Sequence, residues 1–277
     1  MTEPFTQFAL SKRSDAYWRV TFDHPPINLF DDNTVPELER LLDLAEAEPA
    51  LKVIVFDSAN PDFFIAHFSP AAGYKNLTTR KPSGHFAWTE ITQRLTNLAA
   101  VSIAAVRGRA RGGGSEFALA CDIRFASRER AIFAQLEAGT GLLAIGGAIE
   151  RLPQLVGRGR ALEILLGSDD FDADLAERYG WINRAIPDAE FEAFVEQFAQ
   201  RIASFDGQSL RETKRLVGLR APGPTPADCD DSAATFYGAQ WPGAAARFPK
   251  LIELGSGRPG DLEFNFGRRL GALWQAP

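Results

Sequence analysis

Two carboxylates and a run of glycines carry the first chemical signal in this chain. Glu116 directly follows Gly112-Gly113-Gly114-Ser115, and Glu137 lies beyond the next apolar run. Residues 103–106, the basic stretch 107–111, the glycines and residues 115–121 read as strand, loop and helix in succession. That order aims unpaired backbone N–H groups at one point in front of the helix. Glycine permits positive φ and keeps side chains away, so a ligand oxygen can touch the backbone. Backbone donors facing two acids can stabilise an enolate while protons move. Each acid also has a plainer reading. Glu116, in a first helical turn, complements the helix dipole, which lowers its pKa unless neighbours such as Phe117 and Leu119 desolvate it. Glu137 reads equally as a surface residue after a strand.

The remaining candidates point elsewhere or nowhere. Arg107, Arg109 and Arg111 alternate, so an extended chain would place them on one face. Such a face either attracts phosphates or forms a solvated basic edge. The histidines His24, His67 and His85 have no metal-ligand spacing, and His67, in an apolar run, reads as a packed or loop residue. Cys121 and Cys229 form no C-x-x-C pair, and Ser115 is not in a G-x-S-x-G elbow. Gly139 to Ala144 fits G-x-G-x-x-A. A dinucleotide fingerprint, however, directly follows a buried strand and leads, ~20 residues on, to an acid ending the next strand. Here residues 135–138 intervene and Glu163 sits inside a helical pattern, leaving a nicotinamide oxidoreductase as the outside reading.

The elements that must position these groups alternate along the chain. Residues 17–22 alternate apolar and polar as a strand, and 33–48 carry a helical period with Asp32 or Asn33 as N-cap. Residues 53–56 and 63–68 read as strands and 86–99 as a helix, so strand and helix alternate as in an α/β domain. Beyond the glycine unit, 122–126 is strand-like, 139–147 a second glycine-rich loop, and 148–155 and 158–166 helical. Residues 172–179 read as a helix, 181–186 as a strand and 188–205 as a strongly periodic helix. After 206 the texture changes: 210–219 looks helical, 221–231 is a Pro- and Asp-rich linker, and the tail is aromatic and arginine-rich. With 277 residues, 45% apolar, the chain can bury a large core unaided. A net charge of −6 argues against non-specific nucleic-acid binding. The cysteine usage suggests a reducing, cytoplasmic setting. The N-terminus lacks a signal-peptide pattern, and no 18-residue apolar run suggests a membrane span.

Taken in order, these motifs resemble the crotonase (enoyl-CoA hydratase/isomerase) superfamily over roughly residues 15–205. The matching stretches are PPINLF at 25–30, LKVIVFDSANPDFFIAH at 51–67, IAAVRGRARGGGSEFALACDIRFAS at 103–127, FAQLEAGTG at 133–141, ERLPQLVGRGRALEILLG at 150–167 and AERYGWINRAIP at 176–187. The resemblance implies an α/β fold, a spiral of ββα units over 1–205. A helical or irregular oligomerisation region at 206–277 would pack homotrimers or dimers of trimers. It also implies an acyl-CoA thioester substrate, with no metal and no cofactor beyond the coenzyme A of the substrate. The thioester oxygen would meet the N–H groups of Phe68 and Gly113, Glu116 and Glu137 would form the acid/base pair, and Asn28, Ala66, His67, Gly112 and Gly141 would line the substrate site. Both glutamates together imply a hydratase; isomerisation, thioester hydrolysis or a CoA-binding protein without catalysis are the alternatives. Three departures stand out: Ala66-His67-Phe68-Ser69 replaces A-G-A-D, Leu136 replaces a proline, and Ala144-Ile145 replaces P-G.

Overall fold

The structure is a computed structural model describing residues 4–72 and 75–274, without the side chains of Lys75 and Asn76. The sequence segment 69–82 thus lies partly outside the described residues. Among the described residues ten strands form two sheets: β1 (Phe8–Ser14), β2 (Tyr17–Phe22), β3 (Val53–Ser58), β4 (Phe63–Ile65), β5 (Val101–Val106), β6 (Arg109–Arg111), β7 (Ile123–Ser127), β8 (Ile132–Ala134), β9 (Phe171–Asp172) and β10 (Arg184–Ile186). The larger sheet runs β1-β2-β3-β5-β7-β10 and the smaller β4-β6-β8-β9. The topology has a simple origin. In the successive pairs β3/β4, β5/β6 and β7/β8, the first strand joins the large sheet and the second the small one. Like strands of successive pairs then lie parallel, with Val53 opposite Val101, Ile103 opposite Ile123 and Ala110 opposite Phe133. Among the described strands, the outer pairings β1–β2 and β8–β9 are antiparallel and the others parallel. This is the expected spiral.

Residue chemistry explains the central helix, Gly113–Ala120. Its sequence GGSEFALA is apolar all round apart from Ser115 and Glu116, and all eight residues are buried. Phe117 anchors it by edge-to-face contacts with Phe22, Phe30 and Phe56, at centroid distances of 5.4, 6.2 and 4.9 Å. The helix therefore enters the core as a rigid post, and its first turn is fixed with it.

Several local expectations are corrected. Strand β1 was not expected; FALSKRS is mostly polar because this edge strand buries little beyond Phe8. The strand expected over 63–68 ends at Ile65, and the basic loop contains β6. Asn33 occupies the expected N-cap but makes no side-chain cap bond. The supposed linker 221–231 mostly belongs to a helix, Pro226–Gly238, with a capping box between Thr225 and Asp228 and proline in its first turn. Proline and aspartate there start a helix rather than break one. Helices Pro242–Glu253 and Phe266–Leu273 follow. From this last region Leu251, Leu262, Phe266 and Leu270 pack against Ala134 and Leu136.

Candidate active site

The helix start presents free donors. The first intrahelical bond runs from the Glu116 N–H to the Gly112 carbonyl at 2.9 Å, so the N–H groups of Gly113, Gly114 and Ser115 precede it. Gly112 itself takes φ +47°, and a methyl there would lie 2.7 Å from Glu137 Oε1 and 3.8 Å from His67 Cβ. A methyl on Gly113 would lie 2.4 Å from Phe68 Cε2. Glycine at 112 suits its positive φ and leaves room for the Glu137 carboxylate, and at 113 it leaves room for the Phe68 ring.

Phe68 arrives from the neighbouring loop. Phe30 donates its N–H to the His67 carbonyl at 3.0 Å and accepts from the Ser69 N–H at 2.7 Å. This parallel bridge consumes the peptide groups flanking Phe68 and turns its own N–H to the opposite edge. The Phe68 ring packs on Phe30 and Trp88, with centroids 5.4 and 5.1 Å away. Residues 68 and 113, expected to supply two amides to one site, are thus neighbours.

Glu116 is buried, and both of its oxygens accept hydrogen bonds: Oε2 from Trp88 Nε1 at 2.7 Å, and Oε1 from the Ile145 N–H at 3.2 Å. Burial and the nearby charge of Glu137 nevertheless hold its carboxyl well above the ordinary range. Glu137 opens a short helix, Glu137–Thr140, right after β8. Its Oε2 is buried without a hydrogen-bond partner among the described residues, and burial pushes its pKa up to about 7. Two carboxyls that sense each other share one desolvated site, an arrangement suited to moving protons near neutral pH.

The other expected site residues are placed as follows. His67 lies beside Glu137, its ring bound to Glu263 and to the Phe68 carbonyl. Asn28 is spent on structure. At φ +53°, its Nδ2 donates to Ser58 Oγ at 2.8 Å and to the carbonyls of Phe63 and Phe64, while Oδ1 accepts from the His24 N–H. Ala66 is fully buried and donates its N–H to the Asn28 carbonyl. Gly141 packs on the C-terminal region, where a methyl would lie 2.7 Å from the Ala244 nitrogen. The dinucleotide-like loop is therefore covered. The three arginines do not form a free basic face: Arg107 pairs with Asp188, Arg111 is fully buried on Asp170, and Arg109 bonds the carbonyls of Phe264 and Asp62. Trp88 and Glu263 were not anticipated, since each meets the site only through space. A groove of about 750 Å³ lies elsewhere, lined by Glu46, Gln93 and Arg94 among others. Arg94 is already paired there with Asp43 and Glu46.

A family model for "Enoyl-CoA hydratase/isomerase" matches residues 12–225, most of the chain. The chain belongs to the enoyl-CoA hydratase/isomerase family. Its relatives in this family include a crotonyl-CoA hydratase from Syntrophomonas wolfei, 31% identical over 68% of this chain and 72% of that one. A short-chain-enoyl-CoA hydratase from Clostridium acetobutylicum is 28% identical over 72% and 76%. Among solved structures, a Streptomyces avermitilis protein described provisionally as an enoyl-CoA hydratase superposes with a TM-score of 0.92 at 39% identity, covering 99% of this chain and 100% of that one.

Proposed function

We propose that this family member hydrates the 2,3 double bond of an enoyl-CoA thioester. The observation that carries the reading is the buried Glu116 facing the half-buried Glu137, whose Oε2 is enclosed, beside the N–H groups of residues 68 and 113, which have no backbone partner among the described residues. The thioester carbonyl would accept from the Phe68 and Gly113 N–H groups, which stabilise the enolate oxygen as it forms. Like charges in a dry site favour one proton shared by the two acids. The ionised carboxylate takes a proton from water as its oxygen bonds to C3; the protonated carboxyl delivers a proton to C2 as the enolate collapses. The balance is one water added and both acids ready again after proton exchange. No step calls on a metal or on a cofactor other than the substrate's own coenzyme A. With crotonyl-CoA as substrate, Glu116→Gln and Glu137→Gln should each lower kcat by about 10²–10⁴ with little change in KM. Wild-type rates in both variants would overturn the roles. Product mass separates hydration from isomerisation or thioester hydrolysis.

The same reading makes the protein a cytoplasmic enzyme that assembles as a trimer, or a pair of trimers, through residues 206–277. Leu216, Val217 and Leu219 support it: these large apolar side chains stand exposed on the helix Gly207–Arg220. Sedimentation analysis checks the assembly, and a monomer would contradict it. Among the described residues no helix is long and apolar enough to cross a membrane.

A further inference from the structure

The His67 ring has two partners, and both are acceptors. Nδ1 lies 2.7 Å from the Phe68 carbonyl oxygen, and Nε2 lies 2.9 Å from Glu263 Oε1. Glu263 Oε1 also accepts the Gly257 N–H at 2.7 Å, so this oxygen is already an acceptor. Facing an ionised Glu263, which the charge and hydrogen bond of His67 keep ionised against its burial, a neutral imidazole carries one N–H and would leave one of these contacts without a proton, whereas the imidazolium satisfies both. Glu263 is fully buried and is the counter-charge. The pair is covered by the Phe266 ring, 5.6 Å from the imidazole centroid. His67 also lies near Glu137: a methyl placed on Gly112 would come 2.7 Å from Glu137 Oε1 and 3.8 Å from His67 Cβ, and the charge of His67 acts on Glu137. The remaining charges nearby are Arg111, which is neutralised by Asp170, and Glu116 beyond Glu137.

We propose that His67 is a positioning residue for the hydration: a buried imidazolium, clamped by Glu263 of the C-terminal region, that fixes the Phe68 peptide and offsets the charge of Glu137. Electrostatics agree with the geometry. Burial alone would strip the proton from His67, but the charge and hydrogen bond of Glu263 outweigh it and raise its pKa. In turn His67 opposes the burial that raises Glu137. The region after residue 206 then completes the site from within the same chain. The inference rests on Glu137 being half of the acid/base pair.

Two measurements test it. The chain has three histidines, so ¹⁵N-histidine spectra are simple, and His67→Gln identifies the relevant signal. That signal should show both ring nitrogens protonated at pH 7; a neutral ring at pH 7 would overturn the proposal. This arm needs no activity. In the second, the pH profile of crotonyl-CoA hydration by His67→Gln and Glu263→Gln should show kcat about tenfold or more below wild type and KM within about twofold. In His67→Gln the limb due to Glu137 should move to higher pH by about one unit, because a neighbouring cation has gone; Glu263→Gln should move it the same way insofar as it lets the ring lose its proton. An unshifted profile in both variants contradicts the role. If Glu137→Gln is fully active, the acid/base reading fails while the spectra still decide the charge of His67. If Glu137→Gln is inactive and the profiles do not move, this inference alone fails.

Discussion

Glu137 is in a position that costs stability. Its unfolded-state pKa lies near the ordinary 4.5 and its folded value at about 7, raised by burial. The folded state therefore holds the proton more tightly. The carboxyl does not penalise folding below about pH 4.5, penalises it increasingly as pH rises through this window, and does so fully above pH 7. Glu137→Gln removes an ionisation that the site disfavours. Its melting temperature relative to wild type should thus be higher at pH 8 than at pH 5, and a constant difference would show that Glu137 is not held in a desolvating site. Such a gain in stability with a loss of activity is the mark of a site kept strained for function. The sequence drew attention to Glu116 through the glycine run before it, and to Glu137 chiefly through the family resemblance of FAQLE, since by spacing alone it reads equally as a surface residue. Their partners were not legible. Trp88 and Glu116 are 28 positions apart, and His67 and Glu263 are 196 apart, so only folding reveals these contacts.

At the scale of elements, the helix Gly113–Ala120 and the loop at residue 68 must stay in register. A methyl on Gly113 would press into the Phe68 ring, and both displaced groups carry a proposed amide donor. Gly113→Ala should therefore cost roughly 10²–10³ in kcat, the loss typical of one oxyanion donor. Phe68→Ala opens the space that the methyl needs, so the double variant Gly113→Ala/Phe68→Ala should recover part of that loss. Additive losses in the double-mutant cycle would show that the ring contact does not couple the two elements. The helix itself was readable from its apolar sequence and glycines. Strand β6 was not, because Arg109 and Arg111 in a short basic stretch look like a solvated edge. Arg111 is instead buried on Asp170, and charge pairing of that kind is invisible without the partner. The helix Pro226–Gly238 was hidden for another reason: its starting residues, Pro226 and Asp228, are the same types that mark a turn.

Over the whole molecule, the two-sheet spiral brings residue 68, the helix carrying 113 and 116, and residue 137 to one place, although these three segments come from different turns. The strand rhythm alone indicated an α/β class; the spiral order came from the resemblance of motifs, since strand pairing across turns leaves no periodic trace in one chain. The C-terminal helices return to this core, where Leu262, Phe266 and Leu270 cover Ala134 and Leu136. The most direct test of the central claim uses ¹⁸O-labelled water with crotonyl-CoA and the wild-type protein, followed by mass analysis of the product. The account predicts a hydroxyacyl-CoA heavier by one labelled water, formed by wild type and lost with Glu116→Gln and with Glu137→Gln. Failure of the wild type to incorporate label from any enoyl-CoA across a broad chain-length series, or equal incorporation by both variants, would contradict it.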